Sequence, residues 1–517
     1  MRKTIFIKNA AVLTASSLIL RFAGIIFKVW LAAKIGAEGI GLYQLIFSVF
    51  VLAGAFTQSG IPTAVTRLVA SESALGSKQG IKAIMSAGIL LTLTLSILTS
   101  IVLFFGAGPI ADYVIGDIRA VLSLKVLSVA ISFMGICSVM RGYFIARRKA
   151  TPTALSGLLE QAVRISAVVL GVKFAWGKGL NIVCAAVFAG DVLAEAVSCL
   201  YLFARYKLNE KKFSFGGEIY EKRPLRKIIG ISLPLTSGRY LNSLLRTAEN
   251  MLVPRALHKY SAKGALSLFG MIKGMALPVL FFPSVVLNAV SMLLIPEMSE
   301  AREKKLNGVV RLAVEEILSV AAVIGIIFSA VFAAGGYQIG FLLYKSADVG
   351  FLLVSLSPIV PLMYLDSLCD GLLKGLDQQK FTFRVSVSDS AIRIVLILLF
   401  LERFGIKGFI GIMYFSNLLT CFLNVNRLIK ISGAGIDIKK TVIIPVLSAF
   451  SATLLIKLFL GIFNCSNLVY IILLGLLSVT IYSLLMFYFK CINLPTLPLR
   501  RKPKKYAIAT TATSLIK

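Results

Sequence analysis

The chain has 517 residues, 58% of them hydrophobic and only 15% charged, where soluble domains are nearer one quarter charged; this is the composition of a polytopic membrane protein and excludes a soluble globular one. Its formal charge of +32 sits largely in short loops between apolar runs, so no basic soluble domain exists to present a nucleic-acid surface. One histidine, His258, and seven scattered cysteines, Cys137, Cys184, Cys199, Cys369, Cys421, Cys465 and Cys491, leave no material for a His-based metal site or a Ser-His-Asp triad, so neither a metal, a cofactor nor an enzyme is expected and the cysteines read as small core residues.

Apolar runs of roughly 20 or more residues predict fourteen transmembrane helices, at 10–34, 40–64, 82–108, 119–146, 153–174, 181–205, 228–253, 265–294, 309–333, 349–373, 381–402, 407–428, 441–463 and 467–489. The first run, "TASSLILRFAGIIFKVWLAAKIG", is too long for a signal peptide and lacks a small-residue cleavage site, so it is expected to stay attached. It carries Arg21 and Lys28, which fall with Thr14, Ser17 and Gly24 on one helical face. A cation at mid-bilayer costs about 2.5 to 3.5 kcal/mol on insertion scales, which makes each a functional hypothesis; Lys28, nearer the edge, also reads as a snorkelling side chain.

The second run adds Gln44 and Gln58. In the fifth, Glu160 and Arg164 stand at i and i+4 and read first as a self-neutralising pair. In the sixth, Asp191 and Glu195 share a face and read either as a coupling-cation site or as partners of Arg164. A basic stretch, residues 205–227, precedes the seventh run, whose polar stripe is Arg239, Asn242, Ser243, Arg246, Glu249 and Asn250. Lys273 lies in the eighth, where Glu249 can pair with Arg246 or Lys273. Asp366 and Asp370, late in the tenth, read as a solvated helix end, and Asp389 with Arg393 in the eleventh as a second i, i+4 pair.

An internal repeat organises these runs. Glu160-Gln-Ala-Val-Arg164-Ile recurs as Asp389-Ser-Ala-Ile-Arg393-Ile, and Gly142 matches Gly371 at the same separation. At a slightly smaller one, Leu20-Arg21 matches Leu245-Arg246, Gly39 matches Gly264, Ala64-Val-Thr matches Ala289-Val-Ser, and Glu72 matches Glu297. Parallel repeats of six spans imply two lobes about a pseudo-twofold axis along the membrane normal, with a path between them and alternating access. The expected division is residues 1–206 for the first lobe, 207–227 for a basic linker, 228–430 for the second lobe, 431–490 for two further spans and 491–517 for a basic tail. Most loop cations fall on one side, placing both termini in the cytoplasm. The expected path offers Arg21, Lys28, Arg239, Arg246 and Lys273 against one acid, Glu249, an environment for an anion such as a diphosphate.

The stretches "GIGLYQL", "SGIPTAVTRLVA", "RTAENMLVPRAL", "SLFGMIKGMALPVLFFPSVVLNAVSMLLIPEMSEARE" and "DGLLKGLDQQK" resemble the stage V sporulation protein B family, in the polysaccharide branch of the multidrug/oligosaccharidyl-lipid/polysaccharide exporter superfamily and related to lipid II flippases. That resemblance implies a MATE-like, all-α, two-lobed flippase in the bacterial cytoplasmic membrane, acting as a monomeric transport unit on an undecaprenyl-diphosphate-linked saccharide such as lipid II or a spore cortex precursor. It also implies a first-span arginine in an "R-x-x-G" context, matched by Arg21-Phe-Ala-Gly24; Phe27 and Lys28 stand where relatives carry a second arginine. The sodium-site acid and amide pattern of some relatives is not matched here, and with several cations in the site release needs a driving force, for which membrane potential, H+ or Na+ are the candidates. The alternatives are a cation-coupled multidrug exporter, for which acidic cavity groups are expected, and a non-transporting scaffold in spore envelope assembly.

Overall fold

A computed structural model describes residues 2–58, 60–211, 223–260, 264–462, 466–489 and 491. Most of the basic linker, nearly all of the tail and Cys465 lie outside the described residues. The helices are α1 (Arg2–Gln58), α2 (Ile61–Leu75), α3 (Lys78–Phe105), α4 (Ala120–Ala146), α5 (Ala150–Ala175), α6 (Leu180–Lys211) and α7 (Pro224–Tyr260). They continue as α8 (Ala265–Phe281), α9 (Ser284–Glu303), α10 (Asn307–Tyr344), α11 (Ala347–Gly375), α12 (Gln379–Leu396), α13 (Glu402–Ser432), α14 (Lys439–Gly461) and α15 (Asn467–Tyr488). Helix is what hydrocarbon demands, because it satisfies every backbone N–H and C=O within one segment. Among the described residues eight helices, α3, α4, α5, α6, α10, α11, α14 and α15, are long and apolar enough to cross a membrane. The other predicted runs are helical too: α8 is apolar but shorter, and α1 and α13 are each interrupted by a non-helical glycine.

Drawn straight, the 57 residues of α1 would reach about 85 Å, far more than a hydrocarbon core. Gly36 breaks the helix with φ 75° and ψ 176°, a region essentially closed to residues with a Cβ, and so separates the first two predicted runs. Gly405, at φ 53° and ψ −131°, does the same between the eleventh and twelfth. Two runs need correction. The second, predicted to 64, stops at Gln58, and α2 takes up at Ile61 with a proline in its first turn, where the missing N–H costs nothing. The eighth, predicted unbroken over 265–294, divides at Phe282-Pro283, between α8 and α9, because proline ends the preceding hydrogen-bond ladder. Within α8, Met271–Ala276 is wound as a π-helix.

Core packing is continuous at one end of the bundle. A single apolar cluster there joins α1 (Leu31, Ile40), α4 (Leu124), α6 (Phe188), α7 (Leu257), α8 (Phe269) and α11 (Leu353). At the opposite helix ends packing separates into two bodies. One gathers Val69, Ile84, Phe144 and Leu202 with Ile228 of α7; the other gathers Met298, Leu318, Leu373 and Leu428. The bundle is therefore sealed at the end bearing the 106–119 and 345–346 connections and divided at the end bearing 147–149 and 304–306.

The seal depends on glycine. A Cβ on Gly270 would run into the Ala37 carbonyl, one on Gly41 into the Leu266 carbonyl, and one on Gly274 into the side chain of Ile40. Arg255 of α7 adds hydrogen bonds to the carbonyls of Tyr113 and, at 2.8 Å, Val114. Overpacking of such a seam costs about 1 to 3 kcal/mol, so Gly270→Leu is expected to lower the thermal unfolding midpoint of the detergent-solubilised protein by several degrees. An unchanged midpoint would show that α1 and α8 are not in contact there.

Candidate functional site

Both helices that lead the sequence repeat lie where the two halves meet. Leu20 of α1 packs against Gly157 of α5, while two residues on, Phe22 meets the ring of Phe282 edge-on at 5.4 Å. Arg21 therefore sits between a contact to the first half and a contact to the second. On α7, Thr247 Oγ1 donates to the Ser48 carbonyl at 3.1 Å and Asn250 Nδ2 to Ser48 Oγ at 2.9 Å, which sets Arg246 at the same junction. Arg21, Lys28, Arg239, Arg246 and Gln58 are exposed; Gln44 is half-buried. Among the described residues Arg21, Lys28 and Arg246 make no ion pair. Lys28 is close enough to Arg164, and Arg246 to Glu249, for their charges to interact. The side chain of Thr14 lies outside those described.

The remaining charges form two networks. In the first half Arg164 Nη2 meets Glu160 Oε1 at 2.7 Å and Arg164 Nε meets Asp191 Oδ1 at 2.8 Å. The i, i+4 pair expected from sequence is thus present, and Asp191 is the arginine's second partner. Arg141 of α4 completes the group, with Nη2 2.5 Å from Glu160 Oε2 and 3.1 Å from Ser198 Oγ. Sequence reading passed over Arg141; the available signal was an arginine within the apolar run 119–146, preceded by fifteen residues without a charge. Glu195 is buried beside this network and its Oε2 has no hydrogen-bond partner among the described residues.

In the second half Arg393 Nη2 meets Asp389 Oδ2 at 3.0 Å, again the expected i, i+4 pair. Asp389 also accepts from Ser416 Oγ at 2.5 Å. Arg393 Nη1 reaches Glu249 Oε1 of α7 at 3.2 Å, and Lys273 Nζ reaches the same oxygen at 3.1 Å. Of the two partners sequence offered Glu249, Lys273 is the one in ion-pair contact, and Arg393, not foreseen, is the other. Asp366 is a correction: Asn424 Nδ2 donates to it at 2.8 Å, tying α11 to α13, so it is no solvated helix end. Asp370 pairs with Lys374 at 2.5 Å.

Chemically the two sets differ. The networks hold charge that burial would otherwise penalise heavily, while Arg21 and Arg246 are exposed cations without an ion-pair partner among the described residues, positioned to meet an anion between the halves. Removing one member of a buried pair costs about 3 to 5 kcal/mol. Glu160→Gln, which leaves Arg141 and Arg164 short of a partner, is therefore expected to lower the unfolding midpoint by several degrees, whereas Arg21→Ala and Arg246→Ala should leave it near that of the wild type. Equal destabilisation by all three, read by scanning fluorimetry, would contradict the division.

Comparison with known proteins follows the same lines. Residues 6–302 match the family model described as polysaccharide biosynthesis protein. The chain is 27% identical over 448 residues to stage V sporulation protein B of Bacillus subtilis, covering 85% of this chain and 86% of that protein. It is 24% identical over 486 residues to the lipid II flippase MurJ of the same organism, covering 86% of each. Among solved structures, lipid II flippase MurJ in an inward closed conformation superposes with a TM-score of 0.71 at 14% identity, over 93% of this chain and 100% of that one. An inward-facing multidrug resistance MATE family transporter of the MOP superfamily gives 0.65 at 15% identity, over 82% and 98%. Those structural likenesses establish a MATE- and MurJ-like helical fold.

Proposed function

The chain belongs to the family of polysaccharide biosynthesis proteins, and from that premise we propose that it turns an undecaprenyl-diphosphate-linked saccharide, lipid II or a spore cortex precursor, across the bacterial cytoplasmic membrane. It is a multi-pass membrane transporter of the flippase kind and not an enzyme. In this reading it has fourteen spans, with two six-span lobes, two further helices and both termini cytoplasmic. The divided end of the core then opens to the cytoplasm, where such a substrate is made, and rocking of the lobes exchanges that opening for an outward one.

The observation that carries the proposal is the pair Arg21 and Arg246, accessible, without an ion-pair partner among the described residues and equivalent in the repeat, at the junction of the halves. A diphosphate cannot cross hydrocarbon unaided, since each unsatisfied polar group costs several kcal/mol. Fixed guanidinium groups replace its water, and bidentate geometry suits them to phosphate oxygens. Lys28, Arg239 and Lys273 extend the cationic surface, Gln44, Gln58 and Asn250 offer the saccharide hydrogen bonds, and the prenyl tail stays in lipid. Release from several cations needs a driving force: membrane potential, H+ or Na+. A multidrug exporter would share the fold, but a cationic drug needs free carboxylates, and Glu160, Asp191, Glu249 and Asp389 are held by arginine or lysine, which leaves Glu195 and Asp366 as the acids of these networks without an ion-pair partner among the described residues.

In proteoliposomes carrying fluorescent lipid II, the wild type is expected to equilibrate the lipid between leaflets. Arg21→Ala and Arg246→Ala should each slow this by at least about tenfold, a loss of the order of one charge-assisted contact. Normal rates in both variants would remove these arginines from the path, and a scaffold role would tolerate their loss.

A further inference from the structure

Glu249 is 4% exposed, yet it lies on α7, the helix that lines the junction, one residue before Asn250 and its bond to Ser48. Its single oxygen Oε1 takes both Lys273 of α8, at 3.1 Å, and Arg393 of α12, at 3.2 Å. Each distance is longer than the roughly 2.7 to 2.9 Å of a well-made charge-assisted hydrogen bond: one oxygen serves two cations and satisfies neither closely. Lys273 stands on the π-wound part of α8, a local geometry frequent at functional sites, whereas Arg393 keeps Asp389 as a second partner. The first-half network differs, because there Arg164 and Arg141 are each given a separate oxygen of Glu160.

We propose that Glu249 is a built-in stand-in for the substrate's anion, holding Lys273 and Arg393 as a two-cation subsite that a diphosphate takes over when Glu249 swings away. A diphosphate supplies separate oxygens to the two cations where Glu249 supplies one, so the exchange replaces two stretched contacts with two short ones. The displaced carboxylate meets Arg246 one turn away, close enough for their charges to interact. When the diphosphate leaves, Glu249 returns to the pair, which keeps the emptied site from leaving Lys273 without a counter-charge beside Arg393, whose remaining partner is Asp389. The inference rests on the diphosphate-lipid reading above.

The test is binding of farnesyl diphosphate to the purified full-length protein in detergent. Glu249→Gln keeps the side chain's shape and removes the competing charge, so it should bind at least about tenfold more tightly than the wild type, and adding Lys273→Met should cancel that gain. Glu249→Asp, which keeps the charge but shortens its reach, gives a second reading should the amide disturb folding: it too should bind more tightly than the wild type. Wild-type binding with no gain in either Glu249 variant, or a gain that survives Lys273→Met, would overturn this inference and leave the diphosphate reading intact. Absence of binding by the wild type and every variant would overturn both.

Discussion

A charged side chain inside a lipid-embedded bundle must reach a counter-charge or water, and most of this molecule's organisation follows from that requirement. Arg141 and Arg164 stand on helices whose other residues are largely apolar and Arg393 on the more polar α12, and each is met by a carboxylate from its own or a neighbouring helix. These pairings tie α4 to α5, α5 to α6, and α7 to α8 and α12. They do the work that a hydrophobic effect cannot do between surfaces already bathed in lipid. Pairs of this kind do not make the fold more stable than an apolar core would, but breaking any one of them leaves a buried charge, so they fix which helices neighbour which.

The arginines exempt from pairing then stand out. Arg21 and Arg246 are exposed at the junction, and the core around it is not continuous: apolar packing unites the halves at one end and separates into two bodies at the other. Close backbone approach at Gly41, Gly270 and Gly274 makes the sealed end possible, and the Arg255 contact to the 106–119 connection spans it.

Much of this was legible in the amino-acid sequence where the signal is local. Apolar runs marked the helices, i and i+4 spacing marked Glu160 with Arg164 and Asp389 with Arg393, and the repeat marked Arg21 and Arg246 as equivalents. What periodicity cannot carry is contact across the bundle. Glu249 and Arg393 are 144 residues apart, and nothing in either helix announces the other. Lys273 was one of two partners the sequence offered Glu249, and only the packing of α8 against α7 selects it over Arg246 for the ion pair. Arg141 was hidden by the apolar strength of its own run, and the break at Phe282-Pro283 by the hydropathy on both sides of it. The second run's end at Gln58 was obscured likewise, since α2 resumes almost at once with similar composition.

The most direct measurement is native mass spectrometry of the purified protein offered equal amounts of an undecaprenyl diphosphate saccharide, an undecaprenyl monophosphate and a lipophilic cation. An electropositive junction built around Arg21 and Arg246 predicts retention of the diphosphate lipid above the monophosphate and exclusion of the cation, with the preference weakening as salt is raised. Equal retention of all three, or preference for the cation, would contradict a diphosphate-lipid flippase.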